Sequence, residues 1–185
     1  MSKPGEINKL SQIIKPNLAV ITNIGEAHLE NFKNITGIAK AKSEIINSIQ
    51  KNGVLILNRD DKFFEYLKKN EKKKNIKITS FGKYKKSDIR LLQLRKFDKK
   101  REATINVKGE IFKLQIGNIN IYNVLSSLAI LKELHLNIKR VVELFKKIQP
   151  SEGRGRIYKI KKYKKDFVLI DESYNSSPSS VKNAL

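Results

Sequence analysis

The sequence LAVIT at residues 18–22, an amphipathic stretch at 36–50 and the sequence VLILN at 54–58 decide the fold of this chain. The two apolar runs are uninterrupted, which is typical of strands buried on both faces of a parallel sheet. Between them, apolar side chains recur at the spacing of one helical face: Ile38, Ala41, Ile45, Ile46 and Ile49. A strand, a helix and a second strand in this order predict an α/β fold with a largely parallel sheet flanked by helices.

The middle of the chain has the pattern of antiparallel strands. Residues 88–97 and 102–116 alternate between apolar and polar side chains, and Lys108-Gly109-Glu110 has the composition of a hairpin turn. We therefore expect an antiparallel portion added to the parallel sheet. Two helices are predicted after it, at about 120–135 and 138–148.

The last part of the chain predicts a loop, a second hairpin and the start of a helix. The loop covers residues 151–156. The hairpin strands at 157–163 and 167–171 flank the polar turn Lys164-Lys165-Asp166, and a helix is expected to begin near Pro178.

The composition limits the class of protein. The chain has 185 residues, enough for one domain or parts of two, and 39% of them are hydrophobic, enough for a packed core. It contains no cysteine, which excludes disulfides and thiolate metal sites. The apolar runs are too short to cross a bilayer and the first residues do not resemble a signal peptide, so we expect a cytoplasmic protein without membrane insertion.

The charge of the chain allows two interpretations. The formal net charge is +21, from 39 Lys and Arg residues against 18 Asp and Glu residues. Such an excess is compatible with a polyanionic partner, including nucleic acid. The lysines are spread along the chain without interleaved aromatic residues, which favours a general bias in composition and no specific nucleic-acid partner.

Two polar side chains lie at the ends of the loop and helix that directly follow the first strand, a position where α/β sheets commonly bind their ligands. His28 lies in the loop after the strand at 18–22, and Lys42 lies beside the apolar stripe of the following helix. A lone His in a polar loop and a Lys on a helix are most often ordinary surface residues. Shielding of Lys42 from water would lower its pKa and make the neutral amine available for chemistry.

Three later segments also combine polar groups with loop or turn composition. They are GNINIYNVLSS at 117–127, SEGRGR at 151–156 and DESYNSSP at 171–178. Asn120 in the first segment is suited to cap a helix, and acidic residues at the end of a strand often serve as ordinary caps. Arg154 in the second offers two parallel donors to phosphate oxygens, which by itself indicates only some phosphate ligand.

Taken in order, these segments resemble the Mur ligase family. The resemblance includes residues 21–30, the sequence AKSEI at 41–45 and the three later segments, and it extends from Pro4 to Leu185. The segment at 171–178, together with KPGEI at 3–7, is most similar to the branch of the family that adds D-alanyl-D-alanine. The resemblance implies that residues 1–150 are part of the central ATP-binding domain, and that residues 151–185 form the domain junction and the start of the C-terminal domain.

The resemblance also implies roles in catalysis and metal binding. His28 matches a family histidine that binds Mg²⁺ near the γ-phosphate of ATP. Lys42 matches the family lysine that CO₂ converts to a carbamate, and this anion helps to hold a second Mg²⁺. Arg154 matches an arginine that contacts the ATP phosphates, so His28, Lys42 and Arg154 are the implied catalytic residues.

The implied nucleotide site uses four residues: Asn120 and Asn123 near the adenine, Arg154 on the phosphates and Glu172 on the ribose side. The sequence departs from the family pattern at two positions. Ile119 stands where the family has a histidine, and Ser177 stands where the branch has an asparagine.

The activity implied by the resemblance is ATP-dependent amide formation in peptidoglycan synthesis. The terminal carboxylate of UDP-N-acetylmuramoyl-tripeptide is activated as an acyl phosphate, and the amine of D-Ala-D-Ala attacks it; the complete enzyme is expected to be a monomer. The 185 residues contain no Gly-x-x-Gly-Lys-Thr phosphate loop, so we expect little or no ligase activity from this chain alone. The alternatives are a non-catalytic basic module that binds polyanions and an inactive gene fragment.

Overall fold

The computed structural model describes residues 1–26, 31–69, 75–97, 100–174 and 181. The α-helices are α1 (Glu6–Ile14), α2 (Ile35–Ser43), α3 (Phe64–Lys69), α4 (Ile121–Glu133) and α5 (Ile138–Val141). The strands are β1 (Leu18–Ile21), β2 (Val54–Asn58), β3 (Lys77–Gly82), β4 (Ile89–Phe97), β5 (Lys100–Val107), β6 (Glu110–Ile116), β7 (Arg156–Lys162) and β8 (Lys165–Asp171). Short 3₁₀ helices continue α2 over Glu44–Ser48 and α5 over Val142–Lys146.

Six strands form one sheet in the order in which they occur in the chain. Strands β1 to β4 pair in parallel, whereas β4, β5 and β6 pair antiparallel. The predicted α/β class, with a parallel sheet and an added antiparallel portion, is therefore confirmed. No helix in the described part of the chain is both long enough and apolar enough to cross a membrane.

Helices cover both faces of the sheet. Leu55, Ile56 and Leu57 follow one another in β2 and are all fully buried. Because neighbouring side chains of a strand point to opposite faces, the apolar run at 54–58 needs a core on each side. Ile56 packs in one hydrophobic cluster with α4, and Leu55 and Leu57 pack in the other with α2.

Helix α4 crosses one face of the sheet antiparallel to the strands and is held at both ends. Near its beginning, the Tyr122 hydroxyl donates a hydrogen bond to Asp60, just past the end of β2. At its last residue, Glu133 accepts a hydrogen bond from Lys77, the first residue of β3. The N-terminus of α4 therefore lies at the edge of the sheet where the parallel strands end.

One predicted helix differs from the structure, and another falls outside the described residues. The helix predicted at 36–50 narrows to a 3₁₀ helix at Glu44, whose carboxylate accepts hydrogen bonds from the amides of Gly5 and Asn8 and so ties this segment to α1. The predicted helix near Pro178 begins outside the described residues.

The turn of the second hairpin begins one residue earlier than predicted and is two residues long, where three were predicted. The turn residues are Tyr163 and Lys164, with φ angles of 53° and 58°, a pairing typical of a two-residue turn with two left-handed residues. The hairpin is exposed on both faces: Val168 and Leu169 are neighbours in β8, and their exposed fractions are 66% and 49%.

Candidate active site

The predicted site residues that the structure describes lie on loops and helix ends at the carboxyl edge of the parallel sheet. Strands β1, β2 and β3 end there at Ile21, Asn58 and Gly82, and each is followed by a polar loop. The first turn of α4 reaches the same edge. Open α/β sheets bind their ligands in the crevice outside these strand ends, so the position suits a nucleotide site.

Lys42 is half-buried next to the loop that follows β1. Its Nζ atom donates a hydrogen bond to the carbonyl oxygen of Asn23 over 2.8 Å. Burial lowers the pKa of Lys42, and the negative charge of Asp61 offsets this only in part. His28 lies outside the described residues, although residues 22–26 of the same loop are described.

Asp61 fixes the loop that carries the carbonyl partner of Lys42. Its Oδ2 atom accepts a hydrogen bond from the Ile24 amide over 2.6 Å. Its Oδ1 atom accepts one from the Phe63 amide over 2.8 Å, where the chain turns into α3. An acidic pair such as Asp60-Asp61, between a strand and a helix, is by its local pattern only a helix cap. Asp61 also serves as a clamp on the β1 loop, a contact between residues 37 positions apart that no local pattern could reveal.

Asn120 and Asn123 both lie at the start of α4. The Asn120 side chain caps the helix, because its Oδ1 atom accepts a hydrogen bond from the Tyr122 amide over 2.9 Å. Asn123 is exposed on the first helical turn and faces solvent. The capping role that the sequence allowed for Asn120 is therefore present, and Asn120 and Asn123 are both exposed.

Arg154 and Glu172 lie at the base of the second hairpin, Arg154 just before β7 and Glu172 just after β8. Asp171 holds this junction: its Oδ2 atom accepts from the Gly153 amide over 2.9 Å, and its carbonyl oxygen accepts from the Gly155 amide over 2.7 Å. Hydrogen bonds from the Ser173 hydroxyl and from the Gly153 and Ser173 amides lower the pKa of Asp171.

Glycine is favoured at two positions of this junction, because Gly153 and Gly155 both have positive φ angles, of 73° and 82°. A Cβ atom at Gly155 would lie 2.9 Å from Oε1 of Glu172. The backbone at Gly155 and the Glu172 carboxylate therefore lie in direct contact. The guanidinium of Arg154 stacks over the ring of Tyr174 at 4.3 Å, which orients a side chain that is otherwise exposed.

A series of hydrogen bonds joins these three groups of residues. The Asn118 side-chain amide donates to the carbonyl oxygen of Gly155 over 3.3 Å, which connects the start of α4 with the junction. The Tyr122 hydroxyl donates to Asp60 over 3.0 Å, which connects α4 with the loop that also contains Asp61. Lys42, Asn120, Asn123, Arg154 and Glu172 thus lie along one connected edge of the sheet.

The described residues supply few ready-made metal ligands. No group of three or more His, Asp or Glu residues is placed to hold a metal within the described ranges. Both oxygens of the Asp61 carboxylate already accept backbone hydrogen bonds. A Mg²⁺ ion prefers oxygen ligands, and a carbamate on the shielded Lys42 would add such oxygens at this edge.

The opposite edge of the sheet holds a buried ion cluster that the sequence did not predict. The Glu133 side chain is 2% exposed and accepts hydrogen bonds from Lys108, Lys77 and Thr79 over 2.5, 2.6 and 2.7 Å. Burial opposes ionisation of Glu133, but these three donors outweigh it and lower its pKa to about 2. The cluster lies away from the carboxyl ends of the parallel strands, so we assign it to the stability of the fold.

Comparisons with known proteins identify the family of the chain. The sequence pattern of the Mur ligase middle domain matches residues 1–131. Over 100% of its length the chain is 33% identical to the UDP-N-acetylmuramoyl-tripeptide–D-alanyl-D-alanine ligase of Rickettsia prowazekii, covering 41% of that protein. It is 29% identical to the ligase of the same name from Bacillus subtilis, again over 100% of the chain and over 39% of the relative.

Solved structures give the same result. MurF from Acinetobacter baumannii matches 100% of the chain with a TM-score of 0.86 and 27% sequence identity, and 40% of that structure is covered. The fold is also shared with MurF from Thermotoga maritima, solved in complex with ADP, at a TM-score of 0.83 and 24% identity over 99% of this chain and 41% of that one. The chain spans about two fifths of the length of these relatives.

Proposed function

This chain belongs to the Mur ligase family, and from that membership we propose that it is part of an ATP-dependent ligase that joins D-Ala-D-Ala to UDP-N-acetylmuramoyl-tripeptide. The observation that carries the proposal is the hydrogen-bonded edge of the sheet, which connects the segments of Lys42, Asn120, Asn123, Arg154 and Glu172. The names of the relatives that match the whole chain support the choice of substrates.

The proposed reaction has two steps. In the first, a carboxylate oxygen of the tripeptide attacks the γ-phosphorus of ATP, the bond to ADP breaks, and an acyl phosphate forms. In the second, the amine of D-Ala-D-Ala attacks the acyl carbon, loses a proton, and phosphate departs as the amide forms. Because phosphoryl transfer depends mainly on positioning and charge neutralisation, the protein has to hold the nucleotide and the transferred group in line.

Lys42 is proposed to take part as a carbamate. Its lowered pKa increases the share of neutral amine, which attacks CO₂ and loses a proton to leave an anionic carbamate. Lys42 in this form and His28 would hold Mg²⁺, which neutralises charge on the phosphoryl group when bound. The hydrogen bond from Nζ to the Asn23 carbonyl places Lys42 beside the loop that leads towards His28.

The nucleotide is proposed to lie across the remaining residues of the edge. Asn123, with Asn120 beside it, would contact the adenine, and Glu172 would accept a hydrogen bond from the ribose. Arg154 would hold phosphate oxygens through its planar guanidinium, which the ring of Tyr174 keeps in one orientation.

The test is ligase activity of the enzyme expressed from the complete reading frame that encodes these residues. We expect phosphate release that requires ATP, UDP-N-acetylmuramoyl-tripeptide and D-Ala-D-Ala together. Asn123→Ala should raise the KM for ATP. The matched control is Asn137→Ala, because Asn137 is also exposed at the start of a helix and its side chain makes no capping hydrogen bond. Phosphate release that does not depend on D-Ala-D-Ala would contradict the proposal. Salt-dependent binding of nucleic acid without any nucleotide binding would also contradict it and would favour a polyanion-binding module.

A further inference from the structure

We propose that Asp60 is a positioning residue for the nucleotide: its carboxylate holds the first turn of α4 against the loop after β3 and thereby places Asn120 and Asn123. The inference rests on the proposed function, since it assumes that these two amides face a nucleotide base. Asp60 itself touches neither of them, and it acts through Tyr122, which lies between them in the sequence.

The Asp60 carboxylate joins three separate segments. Its Oδ2 atom accepts hydrogen bonds from the Lys83 amide over 2.6 Å and from the Tyr122 hydroxyl over 3.0 Å. Its Oδ1 atom accepts one from the Tyr84 amide over 2.9 Å. The backbone amide of Asp60 donates to Oδ1 of Asn58 over 3.0 Å, so the residue is held from both its main chain and its side chain.

The end of β3 is shaped to receive this carboxylate. Gly82 has a φ of 153°, and a Cβ atom there would lie 2.8 Å from Cγ and from both oxygens of Asp60. Carbon and oxygen atoms do not approach so closely without a displacement. A side chain at position 82 would therefore push the carboxylate out of reach of its donors.

Neighbouring cations and rings stabilise the same arrangement. The Arg59 guanidinium lies 4.8 Å from the Phe64 ring centroid and 5.2 Å from that of Tyr84, so the residue next to Asp60 is anchored to the β3 loop as well. Lys83 lies 5.7 Å above the Tyr122 ring. Burial and the bond to Asp60 raise the pKa of Tyr122 to about 12, so Tyr122 remains a neutral donor at neutral pH.

The experiment compares ADP with GDP in direct binding to the enzyme expressed from the complete reading frame. The variants are Asp60→Asn, Tyr122→Phe and Gly82→Ala, and the matched controls are Asp166→Asn and Tyr163→Phe on the exposed second hairpin. We expect the first three to weaken ADP binding by about 3- to 10-fold, the effect of one lost hydrogen bond, and to leave GDP binding unchanged.

The base selectivity separates positioning from a general loss of structure. A variant that merely unfolds the region would weaken ADP and GDP equally, and that result would overturn the inference. Tyr122→Phe is the variant least able to disturb folding, and an unchanged preference for ADP in it would also refute the role of Asp60. If the unmodified enzyme binds neither nucleotide, the proposed function fails together with this inference. If it prefers ADP and the variants keep that preference, only the inference fails.

Discussion

The buried Glu133 cluster yields a prediction whose size follows from the structure. The carboxylate is 2% exposed and is contacted by Lys108, Lys77 and Thr79. We consider Glu133→Gln, which keeps the shape of the side chain but removes its charge. The neutral amide can still accept a hydrogen bond, but its NH₂ group faces the lysine ammonium groups, which cannot accept hydrogen bonds.

The expected loss of stability is smaller than the loss from breaking a fully buried ion pair. Removing one partner of such a pair costs about 3–5 kcal/mol because the other charge stays buried. Here the side chains of Lys77 and Lys108 are 54% and 28% exposed, so each can turn towards water. We therefore expect Glu133→Gln to lower the free energy of unfolding at pH 7 by about 2 kcal/mol, within the range for a buried group that loses its hydrogen bonds.

The pH dependence of stability provides a second, independent measure of the contribution of Glu133. The pKa of Glu133 is about 2 in the folded protein and near 4.5 when unfolded, so its contribution is fully present above about pH 4.5. As the pH falls from there through about 2, the folded carboxylate is protonated and the contribution is lost. The difference in stability between the original protein and Glu133→Gln should therefore shrink between pH 5 and pH 2.

Urea denaturation of both proteins at a series of pH values is the assay. The matched control is Glu110→Gln, because Glu110 is 54% exposed and its pair with Lys132 lies at the surface. We expect this control to change stability by less than about 1 kcal/mol. The reasoning is refuted if both substitutions have the same effect, or if the cost of Glu133→Gln stays constant down to pH 2.

Three further predictions concern other parts of the molecule. Lys42→Ala should lower ligase activity of the complete enzyme by about 10- to 100-fold, the usual cost of losing a supporting group at a metal site, and added short carboxylates should restore part of it; normal turnover without them would exclude the carbamate. Glu44→Gln should reduce thermal stability by about 1 kcal/mol, because it weakens the acceptor for two amides at the start of α1, while the exposed Glu65→Gln should have little effect in the same melt. Gly155→Ala should weaken ATP binding, since its Cβ would lie 2.9 Å from Oε1 of Glu172 and would displace that carboxylate; calorimetry that finds unchanged affinity would contradict the proposed role of Glu172 at the ribose.

The sequence predicted the parts of the fold that depend on local repetition. The uninterrupted apolar run at 54–58 correctly indicated a strand buried on both faces, and the alternation at 102–116 correctly indicated antiparallel pairing. The turn at Tyr163 and Lys164 was placed one residue too late, because neither residue belongs to the Gly and Asn class that normally marks left-handed positions.

Contacts between residues distant in the sequence limited how much of the candidate site could be predicted. The order of the segments predicted that Lys42 and Asn123 belong to one site, but not the connections between them. Asp60 and Tyr122 are 62 positions apart, and an Asp after a strand is usually an ordinary cap. The same holds for Glu133, whose partner Lys77 is 56 positions away. Such roles depend on which loops meet at the edge of a sheet, and pairs of this kind leave no periodic signal in a single sequence.

The second hairpin has a consequence for the behaviour of the chain in solution. Its two strands pair only with each other among the described residues, so the outer edge of each strand offers free amide and carbonyl groups. With Val168 and Leu169 exposed on opposite faces, such a ribbon is a template for strand addition by another polypeptide, including a second copy. The lysines near its tip, from Lys159 to Lys165, oppose pairing with a second copy, because the like charges of the two added strands would lie close together. Self-association of the isolated chain should therefore increase as salt screens these charges.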